Sequence, residues 1–304
     1  MKHKVLYGII LCSLPGFMSC SGKGDEPTPQ PVPTQPAEEK MQISISPSIK
    51  EARATDYGFE PGDATGLFVV NYSGNTPGVL AASGNYVDNM RFKYNGAWTA
   101  DNPIFWADDK THSDFYLYYP YTATVGSVEA YSFTVKADQS TETAYKASDL
   151  MVGRALNVAP SSSATVIPVN HMMSRIVVTL EAGNGFTQES IAAAEVAVRI
   201  NGIKCNSTVN LATGDVAVAG EATSVIPFFT DNSYKALIVP QTLEEGNLIT
   251  VTVDGREYNL KKEFEFESSK SHKFTVTLSK TSNGVNVNIN PWYDDGIDNG
   301  GVAE

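Results

Sequence analysis

Histidine, cysteine and acidic residues could bind a metal or carry out acid-base or nucleophilic chemistry. This chain holds few histidines and few cysteines. Its 304 residues contain four histidines and three cysteines. They are scattered, whereas a closed zinc site needs three or four such ligands at short spacing. His171 precedes two methionines at the entrance of an apolar run, so we interpret it as a structural histidine. Because nucleophile elbows, His-Glu-x-x-His and phosphate-binding glycine loops are also missing from the sequence, we predict no metal, no cofactor and no enzyme activity.

Three aspartates near the C-terminus, Asp294, Asp295 and Asp298, lie among glycines. Carboxylates on a tight turn suit calcium, but these lack the alternate-residue series of oxygen ligands that a calcium loop needs. We therefore predict an acidic, solvated tail over residues 295–304.

Cys20 is the cysteine with a recognisable chemical context. Lys2 and Lys4 precede an apolar stretch, and Ser19 stands directly before Cys20, which is the order of a signal peptide that ends in a lipobox. There the cysteine sulfur is acylated, and each buried methylene of an acyl chain contributes about 0.8 kcal/mol to membrane anchoring. We predict a lipoprotein signal peptide over residues 1–19 and lipidation of Cys20. An ordinary secretory signal with an incidental cysteine is the alternative.

A proline-rich segment separates Cys20 from the body of the chain. Five prolines lie between residues 27 and 36, a composition that favours extended polyproline structure. Residues 20–40 are therefore predicted to form a linker. The formal net charge of -12 and the lack of a dense basic stripe argue against a nucleic-acid partner.

The body alternates apolar and polar residues with a period of two, which is the pattern of β-strands with one face in a core and the other in water. Only Thr187 to Glu195 looks helical, with Thr187 as an N-cap. Pro160 and three serines interrupt the strand pattern near the middle. The pattern predicts an all-β protein with an N-terminal sandwich over residues 41–165 and a C-terminal sandwich over 166–294.

Aromatic residues are concentrated in residues 92–121, which hold ten of the 30 aromatics, Trp98 and Trp106 among them. An exposed row of rings can stack on sugars. The alternation of Phe115, Leu117 and Tyr119 is instead typical of a packed strand, and aromatics dominate cores. We favour the core and keep a sugar-binding platform as the alternative.

A series of short motifs runs through the body in a fixed order and spacing. The pieces are Arg53-Ala54-Thr55, Phe59-Glu60-Pro61-Gly62-Asp63, Leu117-Tyr118-Tyr119-Pro120-Tyr121, His171-Met172-Met173-Ser174, Val239-Pro240-Gln241-Thr242 and Pro291-Trp292. Together with the lipobox, this series resembles the fimbrillin family, the surface-fimbria proteins of Bacteroidales. The resemblance implies two transthyretin-like antiparallel β-sandwich domains in tandem, and a lipid-anchored precursor at the outer membrane and cell surface.

The resemblance also implies assembly with other fimbrial subunits by β-strand donation. A protease would remove the first strand after a basic residue, and a strand from the next subunit would fill the groove. Arg53 matches the cleavage position, and Ile43, Ile45 and Ile49 would belong to the strand that leaves. The chain would be a structural or adhesive subunit, either stalk, tip or anchor, with a host or bacterial surface ligand if it is adhesive.

The strand that is donated is predicted near the C-terminus. Val285, Val287 and Ile289 alternate with asparagines, and their spacing matches that of the isoleucines they would replace. The alternative is that this run is the last strand of the second sandwich.

The alternative function is that of a lipid-anchored surface glycan-binding protein with a similar β-sandwich. Trp98 and Trp106 would then stack on sugar rings.

Overall fold

The structure is a computed structural model that describes residues 40–49, 58–280 and the backbone of 301–303. The described residues belong to one unit that begins at Lys40. Its strands are β1 (Ile45–Ile49), β2 (Ala64–Asn71), β3 (Val87–Tyr94), β4 (Trp98–Ala100), β5 (Ser113–Tyr119), β6 (Tyr131–Thr134), β7 (Met151–Val158), β8 (Thr165–His171), β9 (Ser174–Ala182), β10 (Val196–Val209), β11 (Val216–Val225), β12 (Phe228–Thr230), β13 (Ser233–Ile238), β14 (Gln241–Leu243), β15 (Asn247–Val253), β16 (Arg256–Lys261), β17 (Phe264–Phe266), β18 (Ser271–Leu278) and β19 (Gly301–Ala303).

Two short helices accompany these strands, α1 (Glu142–Lys146) and α2 (Gln188–Ala193). The prediction of a helix after Thr187 is confirmed, since the Thr187 hydroxyl accepts a hydrogen bond from the Ser190 backbone N–H. Helix α1 was not predicted, although Thr141 caps it in the same way. Within the described residues, neither helix has the length or apolar character to cross a bilayer. The all-β class is confirmed.

A seven-stranded sheet forms the first part of the body, with strand order β1-β8-β7-β5-β2-β3-β4. Its central strands β2 and β5 are buried on both faces, because Leu67 and Leu117 pack in one cluster while Phe68 and Tyr118 pack in another. The prediction of one wet face per strand is therefore wrong for β2 and β5. Both sides of this sheet are covered by other parts of the chain.

The second part of the body is a sandwich of two five-stranded sheets. One has the order β11-β10-β15-β16, with β6 also paired to β10, and the other has the order β12-β13-β9-β18-β19. Alternate apolar residues of both sheets meet in one core, for example Ile200, Val251 and Phe274. This is the layer arrangement expected for face-to-face packing of half-buried sheets.

A central cluster joins the two parts. Phe68 and Tyr118 from the first sheet lie in the same buried cluster as Val209, Leu237 and Val239 from the second part. Strand β6 also crosses between them, because it comes from the first half of the chain and pairs with β10. The two parts therefore share apolar surface.

The predicted boundary between residues 165 and 166 lies at the start of β8. That strand pairs with β1 and β7 of the seven-stranded sheet, so the sheets themselves do not divide there. The arrangement as two tandem transthyretin-like domains stays a prediction.

Part of the predicted C-terminal tail forms a short strand. The backbone of Gly301–Ala303 pairs in parallel with Val276–Leu278 of β18, because the outer edge of β18 offers backbone groups for a further strand. The solvated character of the tail over residues 295–304 stays a prediction.

Candidate functional site

The candidate functional site is the groove that holds residues 41–49, which we call the first-strand groove. Ile43 is 2% exposed and Ile45 is 5% exposed, and both lie in a core cluster. Ser44, Ser46 and Ser48 are more exposed than these isoleucines, and Ile49 is half-buried. The period of two in this segment therefore positions its isoleucines toward the core, as predicted.

The backbone of the segment is held by two different neighbours. The Ile43 N–H donates to the Ile104 carbonyl, and the Trp106 N–H donates to the Met41 carbonyl, both at 2.9 Å. Further along, the Thr165 N–H donates to the Ser44 carbonyl at 2.8 Å, and β1 then runs parallel to β8. Residues 45–49 are thus an edge strand of the sheet beside β8, and residues 41–43 pair with the loop at residues 104–106.

The floor of the first-strand groove is apolar. The same cluster includes Leu117, Ile167 and Val169. Trp106 is 3% exposed, packs edge-on against Phe115 with ring centroids 5.5 Å apart, and donates its indole N–H to the Ser161 carbonyl at 3.0 Å. A groove without its strand would expose this apolar floor together with unpaired backbone groups.

The chain that follows the groove is fixed to the body by polar contacts. Lys146 forms an ion pair with Glu60 at 2.8 Å, and the Tyr119 hydroxyl donates to an Asp63 carboxylate oxygen at 3.1 Å. Burial, and next the charge of Asp63, raise the pKa of Tyr119, which keeps its hydroxyl protonated as a donor. Residues 58–63 therefore have attachments to the body that do not depend on residues 41–49.

Trp98 and Trp106 lie in different surroundings. Trp98 on β4 is half-buried and packs edge-on against Phe59 at 4.8 Å, beside Tyr94 at 5.2 Å. Trp106 is buried in the floor of the groove and presents no open ring face for a sugar. Of the two predicted stacking residues, only Trp98 is near the surface.

Comparison of the sequence with known protein families shows the family of this chain. Residues 52–292 match the profile of the family described as Fimbrillin-like. The chain belongs to the fimbrillin-like family. The predicted family is therefore confirmed.

Relatives of this fimbrillin-like chain carry fimbrial names. A Bacteroides uniformis protein named "Putative fimbrium subunit Fim1C" is 28% identical, and the match covers 96% of each chain. A Bacteroides ovatus protein named "Putative fimbrium tip subunit Fim1C" is 29% identical over 45% of this chain and 27% of its own length.

Solved structures share the fold of this fimbrillin-like chain. A crystal structure titled "putative cell adhesion protein" from Bacteroides ovatus has a TM-score of 0.66 at 17% identity, and the match covers 86% of this chain and 98% of that one. A second one from Bacteroides uniformis has a TM-score of 0.63 at 22% identity, with 81% and 95% covered. At these identities the likeness concerns the fold alone.

Several predicted site residues of this fimbrillin-like chain lie outside the described residues. They are the lipidation residue Cys20, the processing residue Arg53 and the strand-donation residues Val285, Val287 and Ile289. Their roles stay predictions.

His171 and Cys205 are two further reactive side chains in the described part of the fimbrillin-like chain. His171 is buried and its Nδ1–H donates to Asp149 at 2.8 Å. Burial raises the pKa of the Cys205 thiol, which lowers the fraction of reactive thiolate. Within residues 40–49 and 58–280, no three His, Cys, Asp or Glu side chains converge as metal ligands.

The loop at residues 104–106 pairs with the first strand, and the sequence did not predict this pairing. It lies about sixty residues from the segment that it pairs with, and no local pattern marks it as a strand.

Proposed function

We propose that this chain is a subunit of a cell-surface fimbria, exported as a lipoprotein through Cys20 and assembled by β-strand exchange. Membership of the fimbrillin-like family supports a fimbrial structural or adhesive role at the cell surface. The name of the full-length relative, a fimbrium subunit, supports the same role. Other fimbrial subunits are then its partners, and the outer membrane holds the precursor by its lipid.

The observation that carries the proposal is the position of residues 41–49. The segment fills an apolar groove, forms an edge strand and precedes Arg53 by only a few residues. Burial of an isoleucine side chain contributes roughly 1.5–3 kcal/mol. Loss of Ile43 and Ile45 from the groove would therefore expose apolar surface, and the binding of another strand would bury that surface again.

Residues that remain after a cut at Arg53 have their own attachments. The Lys146–Glu60 and Tyr119–Asp63 contacts lie on the C-terminal side of the cut. The groove would thus open while the rest of the body stays in place. Val285, Val287 and Ile289 of a neighbouring copy offer branched apolar side chains at the two-residue spacing that the groove requires.

The proposal is tested by cutting the purified full chain, as its Cys20→Ala variant, with an arginine-specific protease. We expect material cut after Arg53 to form ladders that resist SDS, as seen by gel electrophoresis and gel filtration. Val287→Asp should prevent the ladders, because it places a charge in the apolar groove. Asn288→Asp is the matched control, since it adds the same charge on the polar face of the same run and should leave the ladders intact.

Cut wild-type protein that stays monomeric at high concentration would argue against donation by this strand. The N-terminal sequence of protein isolated from cells then separates the subunit types. An acylated Cys20 indicates an anchor that keeps its first strand, and Ala54 indicates a processed stalk or tip subunit.

A second candidate function is glycan binding through Trp98. Its half-exposed ring lies beside Tyr94 and Phe59, which suits stacking on a sugar. Affinity electrophoresis tests this candidate, because polysaccharide binding lost in Trp98→Ala but kept in Phe229→Ala, which removes an exposed ring elsewhere, would support it.

A further inference from the structure

A cleft of about 220 Å³ lies between β7, β8 and the turn at residues 210–215, away from the first-strand groove. It is smaller than the roughly 300–1,000 Å³ of pockets for drug-sized ligands, so it suits a single small ring. Its polar side chains are those of Arg154, Asn170 and Thr213, and Val152, Pro168 and Met172 are among the apolar residues that line it.

Arg154 is the only charged residue in this lining. Its Nη1 donates to the Ala212 carbonyl at 2.9 Å, which ties the guanidinium to the turn. Arginine has five N–H donors. In the part of the chain that the structure describes, the bond to Ala212 is the one hydrogen bond that Arg154 forms. No carboxylate of those residues lies within 4 Å of it to form an ion pair. In a chain with net charge -12, this unpaired cation is available to an anion from outside.

The turn that forms one wall is closed by its own hydrogen bonds. The Asn210 side-chain oxygen accepts from the backbone N–H groups of Ala212 and Thr213, at 2.9 and 3.2 Å. The Gly214 N–H donates to the Asn210 carbonyl at 2.7 Å. Since the turn needs no ordering on binding, little conformational entropy would be lost there.

The other polar groups of the cleft suit hydroxyls. Asn170 contributes an amide with both donors and an acceptor. The Thr213 hydroxyl donates to the Asp215 carboxylate at 2.7 Å and accepts from the Asp215 backbone N–H at 3.3 Å, which leaves one lone pair of its oxygen for an incoming hydroxyl. Gly153 brings the backbone close to β8, where a Cβ would lie 2.6 Å from the Pro168 carbonyl oxygen.

We propose that this cleft binds an acidic monosaccharide, with Arg154 on its carboxylate and with Asn170 and Thr213 on its ring hydroxyls. A planar carboxylate matches two parallel N–H groups of a guanidinium better than a neutral group does. The inference rests on the adhesive part of the proposed function and names the class of surface ligand.

The test is binding of glucuronic acid to the purified full chain, measured by saturation-transfer NMR and titration calorimetry. Glucose, acetate and inorganic phosphate serve as probes that lack the carboxylate, the ring or both. We expect glucuronic acid to bind at least about tenfold more tightly than glucose, which lacks the charged group that forms the stronger hydrogen bonds, and than acetate, which lacks the ring hydroxyls. Arg154→Gln should weaken binding by about tenfold or more, and the exposed Arg199→Gln should not change it.

Asn170→Asp is the second variant, because it keeps the side-chain shape and adds a negative charge beside the site. It should abolish binding of glucuronic acid even if Arg154→Gln fails to fold. Equal binding of glucose, acetate or phosphate would overturn the ligand class, and no binding by the wild type would overturn the site. Ladder formation after arginine cleavage does not depend on this cleft, so failure here is distinguishable from failure of the proposed function.

Discussion

Ile45 shows how much a single side chain contributes to holding the first strand. It is 5% exposed, while its neighbour Ser46 is exposed. We expect Ile45→Ala to lower the free energy of unfolding by about 2–5 kcal/mol, because it removes buried methylenes and leaves a cavity. Urea denaturation of the full chain provides the measurement.

Ser46→Ala is the matched control, and it should change the free energy of unfolding by less than about 0.5 kcal/mol. Equal stability of the two variants would mean that the groove does not depend on Ile45.

His272 on β18 gives a prediction of acid sensitivity. It is 3% exposed, lies edge-on to Phe264 and Phe266, and neither ring nitrogen has a hydrogen-bond partner among the described residues. Burial lowers the pKa of His272 from 6.5 to about 4, against a smaller opposing effect of Glu267. The unfolded chain therefore binds the proton first as the pH falls.

The consequence is a loss of stability on acidification. Between pH 6.5 and 4 the unfolded state holds more protons, so the free energy of unfolding should fall by about 3 kcal/mol in total from this residue. His272→Phe should flatten this dependence and raise stability at pH 7, since it removes a buried unsatisfied donor. Denaturation at a series of pH values measures it, and a wild-type pH profile that His272→Phe leaves unchanged would contradict the assignment. Gln188→Ala, at an exposed position without a titrating group, is the control that should keep the wild-type profile.

Individual residues were predictable from the sequence only where a local pattern determines them. The period of two predicted burial of Ile43 and Ile45, and the Met-rich entrance of a strand predicted the structural role of His171. The indole N–H of Trp106 donates to Ser161, 55 residues away, and the guanidinium of Arg154 donates to Ala212, 58 residues away. Contacts of that range are set by sheet pairing, which no local pattern contains.

Among the elements, β1 is the one whose removal should be reversible. A synthetic peptide of residues 41–53 contains Ile43 and Ile45 and the backbone groups that pair with β8 and the 104–106 loop. Added in excess during arginine cleavage, it should reoccupy the groove and suppress ladders, because ladder hydrogen bonds and apolar pockets recognise it as they did in the intact chain. Gel electrophoresis of the cleavage mixture reads out the result.

A peptide with Ile43→Asp and Ile45→Asp is the control, and it should leave ladder formation unchanged. Suppression by both peptides would point to inhibition of the protease rather than to filling of the groove.

Element types were easier to predict than element environments. Alternation identified β5, β9 and β18 as strands, and Thr187 located α2. The same alternation could not show that β2 and β5 carry apolar residues on both faces. In β5, Phe115 and Leu117 lie on one side, and Tyr116 and Tyr118 lie on the other. If the tyrosines are counted as core residues, β5 is a continuous apolar run.

At the scale of the whole molecule, Gln139 links the two parts of the body. It is 0% exposed, its amide donates to the Leu237 carbonyl at 2.7 Å, and its oxygen accepts from the Leu237 N–H at 2.9 Å. Together with the shared central cluster, this contact predicts one cooperative unfolding transition for the intact chain. Differential scanning calorimetry should give a calorimetric enthalpy equal to the van't Hoff enthalpy.

Gln139→Ala should lower the melting temperature, because it leaves buried backbone groups of Leu237 without partners, at about 1–3 kcal/mol. Gln188→Ala, at an exposed position on α2, is the control. Two separate transitions in the wild type would show that the parts unfold independently.

The parallel pairing of β1 with β8 has a mechanical consequence. Under the proposed assembly by strand exchange, tension in a filament under flow would pass through the strand that occupies the first-strand groove. β1 runs alongside β8 over five paired positions, from Ile45 opposite Thr165 to Ile49 opposite Val169. A donated strand in the same place would be pulled along its own axis, so its hydrogen bonds would be strained together rather than opened one after another. A strand pair loaded along the strand axis would withstand more force than one whose hydrogen bonds open in turn. A fibre exposed to shear needs that resistance.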